Sequence, residues 1–328
     1  MRRVKILGTG KYLPTNRLTS AQMAQRLGKD ESWVEERSGI KVRHFVEQET
    51  ASFMAAAAAR QAMQAAAVGI DDIDCIVCSS GTPEQSIPCT AALVQKQLGA
   101  EESGMPGFDV NSSCLSFITA LDLISYLIES DRYNRVLVVS SEVCAGVNWD
   151  DPETSMLFGD GAAAAVLGKT PFGESSAFLS ARMETYSKGA HLSVCLAGGN
   201  KHRPEQYAIE TDRLYFYMDG KAIYKMASQV MPDFVEKMLE PTKLTLDELD
   251  IVIPHQASLS ALTLMRHRLN VPESKWMNII ATHGNTIAAS VPMTLHEAVT
   301  QGKLQRGNHA MLLGTAAGLS VGGIVLRY

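Results

Sequence analysis

Two segments far apart in this chain follow the same course. Asp71-Asp-Ile-Asp-Cys-Ile-Val-Cys-Ser79 is matched by Asp247-Glu-Leu-Asp-Ile-Val-Ile-Pro-His255, 176 residues further on. Asn111-Ser-Ser-Cys114 through Arg135-Val-Leu-Val-Val139 is matched by Asn285-Thr-Ile-Ala288 through His309-Ala-Met-Leu-Leu313, 174 residues further on and without a gap. Each copy reads as a strand, a polar turn, a helix and a second strand. Short apolar strands resemble one another by chance, but the common order of elements weighs against chance here. Repeats of this length are duplicated domains rather than solenoid units. The chain is therefore expected to be an α/β protein of two similar halves, residues 1–169 and 170–328, packed about a pseudo-two-fold axis.

A length of 328 residues suits two halves better than one simple core. With 46% hydrophobic and 20% charged residues, the chain is globular with a large interior. The formal net charge of −5 and the absence of a long basic run argue against a nucleic-acid binder. The apolar part of the first strand is too short for a signal peptide, and no apolar run is long enough to span a membrane. Six cysteines in such a chain read as cytoplasmic thiols rather than a disulfide framework. Cys75 and Cys78 form a Cys-x-x-Cys, but inside a strand-like run, where residues three apart point to opposite faces. No second Cys or His pair stands at zinc spacing, so no metal site is expected.

Along the chain, a first strand covers Lys5 to Gly8. Helices follow at about Ala21–Leu27, capped by Thr19-Ser20, and at Ser32–Ser38, stopped by Gly39. The second carries Trp33 and Arg37 on one face, with the tryptophan read as core. An alanine-rich helix runs from Ser52 to Val68, and another from Cys89 to Leu98. Arg135 to Ser141 reads as a strand buried on both faces. Phe158-Gly-Asp-Gly161 reads as a tight turn before a strand, since a lone Gly-x-Gly is weak evidence for a phosphate cradle. The second half opens with a strand at Ala177–Glu184 and an irregular stretch to about Asp212. A long helix covers Gly220–Leu239, a strand ends at His255, and a helix spans Ser258–Leu269. Ile279 to Thr282 reads as a strand before the turn at Asn285, and two strands close the chain.

Cys114 follows a polar Asn-Ser-Ser turn and opens a helix with Phe117, Ala120, Leu121, Ile124, Leu127 and Ile128 at helical spacing. A thiol there meets the positive end of the helix dipole and unpaired backbone N–H groups, which favour thiolate. That points to a nucleophile; the alternative is a small buried hydrophobe, the lot of most free cysteines. The duplication sharpens the choice. Cys114 and Asn285 fall in equivalent turns, and His255 ends the strand equivalent to the one ending at Ser79. A pseudo-two-fold axis can bring all three to one point at strand ends and helix starts, where α/β proteins place their sites.

These residues and their contexts resemble the β-ketoacyl-ACP synthase III family of the thiolase superfamily. The resemblance rests on Asp-Val-x-x-x-Cys114-x-x-Phe, Val252-Ile-Pro-His255-Gln-Ala and His283-Gly-Asn285-Thr-x-Ala-Ala-Ser-Val-Pro292. Phe158-Gly-Asp-Gly161 and Trp33-x-x-x-Arg37-x-Gly-Ile40 also fit, and the likeness runs over nearly the whole chain. It implies a thiolase-like five-layered αβαβα fold, a homodimer and a Cys114–His255–Asn285 triad, with the nucleophile in the first half and the other two in the second. It implies that Cys114 takes an acyl group from a thioester and that backbone N–H groups of Cys114 and Gly318 form the oxyanion hole. His255 and Asn285 then hold the enolate left when malonyl-ACP loses CO₂. Substrates are acyl-CoA or acyl-ACP and malonyl-ACP, with no metal or redox cofactor.

The same resemblance places substrate and CoA contacts at Trp33, Arg37, Ile87, Leu115, Phe158 and Ser258. It departs from the family pattern at several of them. Leu115-Ser116 replaces a usual Ala-Gly and is expected to reshape the acyl pocket. Ile87 stands where a partner-subunit Phe is usual, which suggests acyl groups longer or more branched than acetyl. The arginine expected before Phe158 is absent, which leaves acyl-ACP open as donor. Lys225, Arg266 and Arg268 are candidates to meet acidic ACP, or else a solvated face. Two other readings stand beside this one: a condensing enzyme of specialised ketide or long-chain lipid synthesis, and an inactive partner in a heterodimer, against which the intact triad argues.

Overall fold

A computed structural model describes residues 1–202 and 211–328. Two mixed sheets form its frame. The first has the strand order β1 (Val4–Tyr12), β7 (Gly161–Lys169), β6 (Arg135–Glu142), β4 (Cys75–Cys78), β5 (Gly107–Asp109). The second has the order β8 (Ala177–Thr185), β13 (Ser320–Arg327), β12 (His309–Ala316), β11 (Ile251–Pro254). In the first, β6 runs parallel to β4 and antiparallel to β7, which is antiparallel to β1. In the second, β12 runs parallel to β11 and antiparallel to β13, which is antiparallel to β8. The two are one sheet built twice. The counterpart of β5 is reduced to a parallel bridge between Val252 and Trp276. Two short pairs lie outside the sheets: β2 (Asn16–Thr19) with β3 (Val42–Phe45), and β9 (Ser193–Cys195) with β10 (Phe216–Met218).

Helices complete five layers. α3 (Ala51–Ala65) and α4 (Thr90–Gln97) cover the outer face of the first sheet. α5 (Ser116–Glu129) and α10 (Ser290–Thr300) lie between the sheets. α7 (Gly220–Leu239) and α8 (Leu259–Arg268) cover the outer face of the second. Shorter helices, α1 (Ser20–Leu27), α2 (Glu31–Ser38), α6 (Pro152–Ser155) and α9 (Ile280–His283), sit in the connections.

The sequence explains the layering. A sheet covered on both faces needs apolar side chains at every strand position, not every second one. In β4, Cys75 and Val77 enter the core between the sheets, while Ile76 and Cys78 enter the core under α3 and α4. The Cys-x-x-Cys pair is thus split between the two faces. β7 divides Ala163, Ala165 and Leu167 from Ala162, Ala164 and Val166 in the same way. Its alanines, and those of α3, let backbones approach closely. The approach is closest at β1, where a Cβ on Gly8 would lie 2.4 Å from the Ala62 carbonyl oxygen and one on Gly10 2.2 Å from that of Ala58.

Two expectations are corrected. The run at Ile279–Thr282 is the start of α9 and not a strand. The edge position beside β11 is already taken by Trp276, and Asn278 Oδ1 then accepts the Ile280 N–H at 3.0 Å, which starts a helical turn. The irregular stretch before Asp212 contains the ordered β9, which pairs with β10, while residues 203–210 of that stretch lie outside the described residues.

Gly10→Ala drives a methyl group into a backbone carbonyl and is expected to cost about 1–3 kcal/mol, as overpacking does. Urea unfolding with an unchanged midpoint would show that α3 does not ride on β1 this closely.

Candidate active site

β5 leads into a turn closed on itself by side chains. Asn111 Oδ1 accepts the Ser113 N–H at 2.9 Å, and Ser113 takes the left-handed conformation at φ 53°. Ser116, first in α5, accepts the Ser112 N–H at 2.9 Å and donates to the Ser113 carbonyl at 2.6 Å. Cys114 stands in this turn, and its thiol lines a cavity of about 630 Å³. His255 and Asn285 line the same cavity.

His255 directly follows β11, and its N–H bonds the Leu313 carbonyl of β12 at 2.8 Å. Its Nδ1 meets Ser290 Oγ, at the start of α10, at 2.5 Å. Among the described residues Nε2 has no partner. Asn285 is pinned on both sides of its backbone: its N–H donates to Leu157 O at 2.7 Å, and its carbonyl accepts the Gly159 N–H at 3.1 Å. The amide orientation follows from its bonds. Oδ1 accepts the Ile287 N–H at 2.9 Å, and Nδ2 donates to Ala257 O at 3.3 Å. One Nδ2 hydrogen is left over for the cavity.

The electrostatics overturn one expectation. The helix start argues for a thiolate at Cys114, yet burial pushes the thiol up to about 12, and the Glu142 carboxyl adds to the rise. Desolvation outweighs the helix terminus, so Cys114 rests as a thiol. Burial lowers His255 to about 4, which leaves it uncharged at neutral pH. Glu142, at the end of β6, is itself raised to about 7 by burial. It accepts the Gly81 N–H at 2.6 Å, the Thr82 N–H at 2.9 Å and the Thr82 hydroxyl. Cys114, His255 and Asn285 are therefore uncharged at neutral pH, while the Glu142 carboxyl behind them is partly ionised.

The other expected residues divide. Phe158 lines the cavity, edge-on to Phe216 with ring centroids 5.6 Å apart. Ser258 also lines it and caps α8 by accepting the Ala261 N–H at 3.2 Å. Gly318 lies in the turn between β12 and β13, one residue past the cavity-lining Thr315–Ala317. Leu115 does not reach the cavity. It is fully buried with its methyl groups against Gly314 and Gly322, so the bulk next to Cys114 fills space above the second sheet instead of shaping the pocket. Ile87 is 86% exposed and not on the cavity wall. Trp33 is half-buried rather than core, with the Arg37 guanidinium 5.7 Å from its ring. Arg37 also pairs with Glu153 at 3.1 Å. Lys225 and Arg268 are exposed, whereas Arg266 donates to Val271 O at 3.3 Å and is tied to its own loop.

Several contributors carried no signal of their own in the sequence. Ser290 lies inside the Ala-Ala-Ser-Val-Pro292 stretch, but nothing in that pattern says that it holds a histidine. Glu142 ends an apolar strand. The far wall of the cavity comes from β9, β10 and α7, through Val194, Phe216, Met218, Ile223 and Tyr224.

A duplicated α/β frame with a cysteine, a histidine and an asparagine on one apolar cavity defines a thiolase-like, acyl-transferring enzyme. The chain belongs to the 3-oxoacyl-[acyl-carrier-protein (ACP)] synthase III family, whose profile matches residues 108–187 and whose C-terminal profile matches residues 239–328. It is an acyltransferase. The β-ketoacyl-[acyl-carrier-protein] synthase III of Aquifex aeolicus (strain VF5) is 35% identical over 325 residues, 99% of each chain. The crystal structure of 3-oxoacyl-[acyl-carrier-protein] synthase III from Aquifex aeolicus VF5 has a TM-score of 0.90 at 34% identity, covering 99% of this chain and 100% of that one. The priming β-ketosynthase from the R1128 polyketide biosynthetic pathway has a TM-score of 0.89 at 30% identity, covering 99% of this chain and 96% of that one.

Glu142→Gln removes a charge that raises the Cys114 thiol and one of the acceptors that three donors share. The variant is expected to be alkylated by iodoacetamide severalfold faster at pH 8, yet to lose about 1–3 kcal/mol of stability. Peptide mass spectrometry and urea unfolding read the two effects. An unchanged alkylation rate would remove Glu142 from the account of the thiol.

Proposed function

We propose that this protein joins an acyl group longer than acetyl to malonyl-ACP by decarboxylating condensation. The observation that carries the reading is the meeting of Cys114, His255 and Asn285 on one large apolar cavity. In the first half-reaction, Cys114 Sγ bonds to the thioester carbonyl carbon and the bond to the carrier sulfur breaks. The carrier leaves as a thiol with the proton that Cys114 gives up. Backbone N–H groups of Cys114 and Gly318 are proposed to hold the oxyanion. In the second, the malonyl C–C bond breaks, CO₂ departs and the electron pair forms an enolate. His255 and Asn285 donate to its oxygen. The enolate carbon attacks the acyl-cysteine, and the released Cys114 thiolate takes a proton from water. The reaction draws on thioesters alone and needs no metal or redox cofactor.

A cavity of about 630 Å³ is far larger than an acetyl group needs and falls in the usual range for ligand sites. The Arg37–Glu153 pair bears on the donor. It sets a carboxylate against the cation that a nucleotide phosphate would need, which favours acyl-ACP over acyl-CoA. Of the three candidates, Lys225 and Arg268 are the ones exposed to meet an acidic carrier. The edge strand β5, with the exposed Leu123 and Tyr126 on α5, is proposed as the face of a homodimer, with Ile87 at the partner's cavity mouth. Six free thiols fit the reducing cytoplasm. No helix among the described residues is long and apolar enough to cross a membrane. The likeness to the R1128 priming synthase supports a second reading, in which the same chemistry starts a specialised ketide.

Incubation with acyl-CoA and acyl-ACP from acetyl to dodecanoyl, followed by peptide mass spectrometry, tests the reading. Cys114 is expected to carry the acyl group, with octanoyl preferred to acetyl, and Cys114→Ala to carry none. A strong acetyl preference would sink the chain-length assignment. No acylation by any donor would sink the enzyme reading and favour an inactive partner subunit.

Glu153→Arg is expected to raise acylation by acyl-CoA severalfold and leave acylation by acyl-ACP unchanged. Equal rates with both donors before and after the change would show that the pair does not select the carrier.

A further inference from the structure

The imidazole of His255 has two nitrogens, and the proposed chemistry requires the one at the cavity to carry a proton. Nothing in the strand that ends at His255 decides this. The environment of Ser290 does. Ser290 is 1% exposed, so its hydroxyl cannot turn to bulk water. Its oxygen already accepts the Gln256 N–H at 3.3 Å. Its remaining side-chain partner is His255 Nδ1, at 2.5 Å.

A buried hydroxyl proton without an acceptor costs about 1–3 kcal/mol. If Nδ1 carried the ring proton, it would donate to Ser290 Oγ, and the hydroxyl proton would have nowhere to go. If Nδ1 is bare, the hydroxyl donates to it, and all three groups are satisfied. We infer that Ser290 is a positioning residue that donates to His255 Nδ1, so that Nε2 holds the proton and faces the cavity as a hydrogen-bond donor. The inference rests on the condensing role proposed above, and it assigns His255 to stabilising the enolate rather than to removing the Cys114 proton.

The duplication shows how the residue came to this role. Ser116 is the counterpart of Ser290 in the first half. It too begins a central helix and ties it to the neighbouring strand end, donating to Ser80 O at 3.3 Å. Its partners are all backbone. The counterpart of His255 is Ser79, whose hydroxyl turns to Val139 O at 3.0 Å. The helix-start serine is thus a shared anchor, and in the second half the anchor also fixes a ring.

A carboxylate in place of Ser290 would do the opposite. It can only accept, so it would hold the proton on Nδ1 and leave Nε2 bare, a base instead of a donor. A hydroxyl whose oxygen is already occupied makes the donor.

The test uses the full-length protein with ¹⁵N-labelled histidine. The His255 ring signals are identified by their loss in His255→Ala. In the wild type, without substrate, Nε2 is expected to show the protonated and Nδ1 the bare nitrogen shift. Ser290→Ala is expected to mix the two forms. It should slow CO₂ release from malonyl-ACP at least about tenfold in kcat with little change in KM, while acylation of Cys114 stays within about threefold. Ser290→Thr keeps the hydroxyl and is expected to restore both the shifts and the CO₂ release. A wild-type ring protonated on Nδ1 overturns the inference, as does a folded Ser290→Ala variant with unchanged shifts and CO₂ release. If Ser290→Ala does not fold, the wild-type shifts and the threonine variant still decide. A wild type with the expected shifts but no malonyl turnover would overturn the condensing reading and leave the role of Ser290 standing.

Discussion

The packing of α5 and α10 against each other between two sheets is the constraint on which the rest of this structure depends. Both helices bury their inward faces among apolar residues drawn from both halves, including Phe117, Leu121 and Ile124 from α5 and Val291, Met293 and Leu295 from α10. The core between the sheets belongs to neither half. Burial of each large side chain there contributes about 1.5–3 kcal/mol. Because the halves share that core, the starts of the two helices have a fixed relation. Cys114 before one helix and Ser290 at the head of the other are placed by the same packing. The geometry around the cavity is thus a consequence of how the sheets are filled.

The pseudo-symmetry is broken where the proposed chemistry requires it. At the position of Cys114 the second half has Ala288, and at the position of His255 the first half has Ser79. Glu142, which binds the loop at Gly81 and Thr82, has Ala316 as its counterpart, a small residue on the cavity wall. One half supplies the thiol and a buried carboxyl that stiffens the neighbouring loop. The other supplies two hydrogen-bond donors and open space. A single half could present the thiol or the donors, but not both at one cavity.

Much of this was legible in the sequence because it follows from periodicity. The two sheets, the central helices and the meeting of Cys114, His255 and Asn285 all come from the repeat and its spacing. What escaped depends on distances in three dimensions. Leu115 adjoins Cys114 in sequence, but at a helix start neighbouring side chains diverge, and its methyl groups lie on Gly314 and Gly322. The apolar run at Ile279 looks like a strand until Trp276 is seen to hold the edge position. The state of the Cys114 thiol was misread because a helix terminus is visible in sequence and the depth of burial is not. Ser290 escaped because a serine in an Ala-Ala-Ser-Val stretch is an ordinary helix start until its partner is known.

The absence of charge on Cys114, His255 and Asn285 follows from the same burial and suits the proposed reaction. In the proposed condensation, a malonyl carboxylate entering this cavity loses water that would otherwise stabilise it. The charge then moves on loss of CO₂ to an enolate oxygen, where fixed N–H donors can receive it. A cationic histidine would stabilise the carboxylate of the substrate as well as the enolate, and so would lower both the starting point and the barrier top. Neutral donors aimed at one oxygen discriminate between the two, because they act at short range and in one direction. Burial holds His255 near 4, far from the charged state, and the Asn285 amide is fixed by the Ile287 N–H. On this proposal, the burial that keeps Cys114 protonated at rest is the same burial that makes the two donors effective. A thiol slower to ionise is the cost of an environment in which the second half-reaction is favoured.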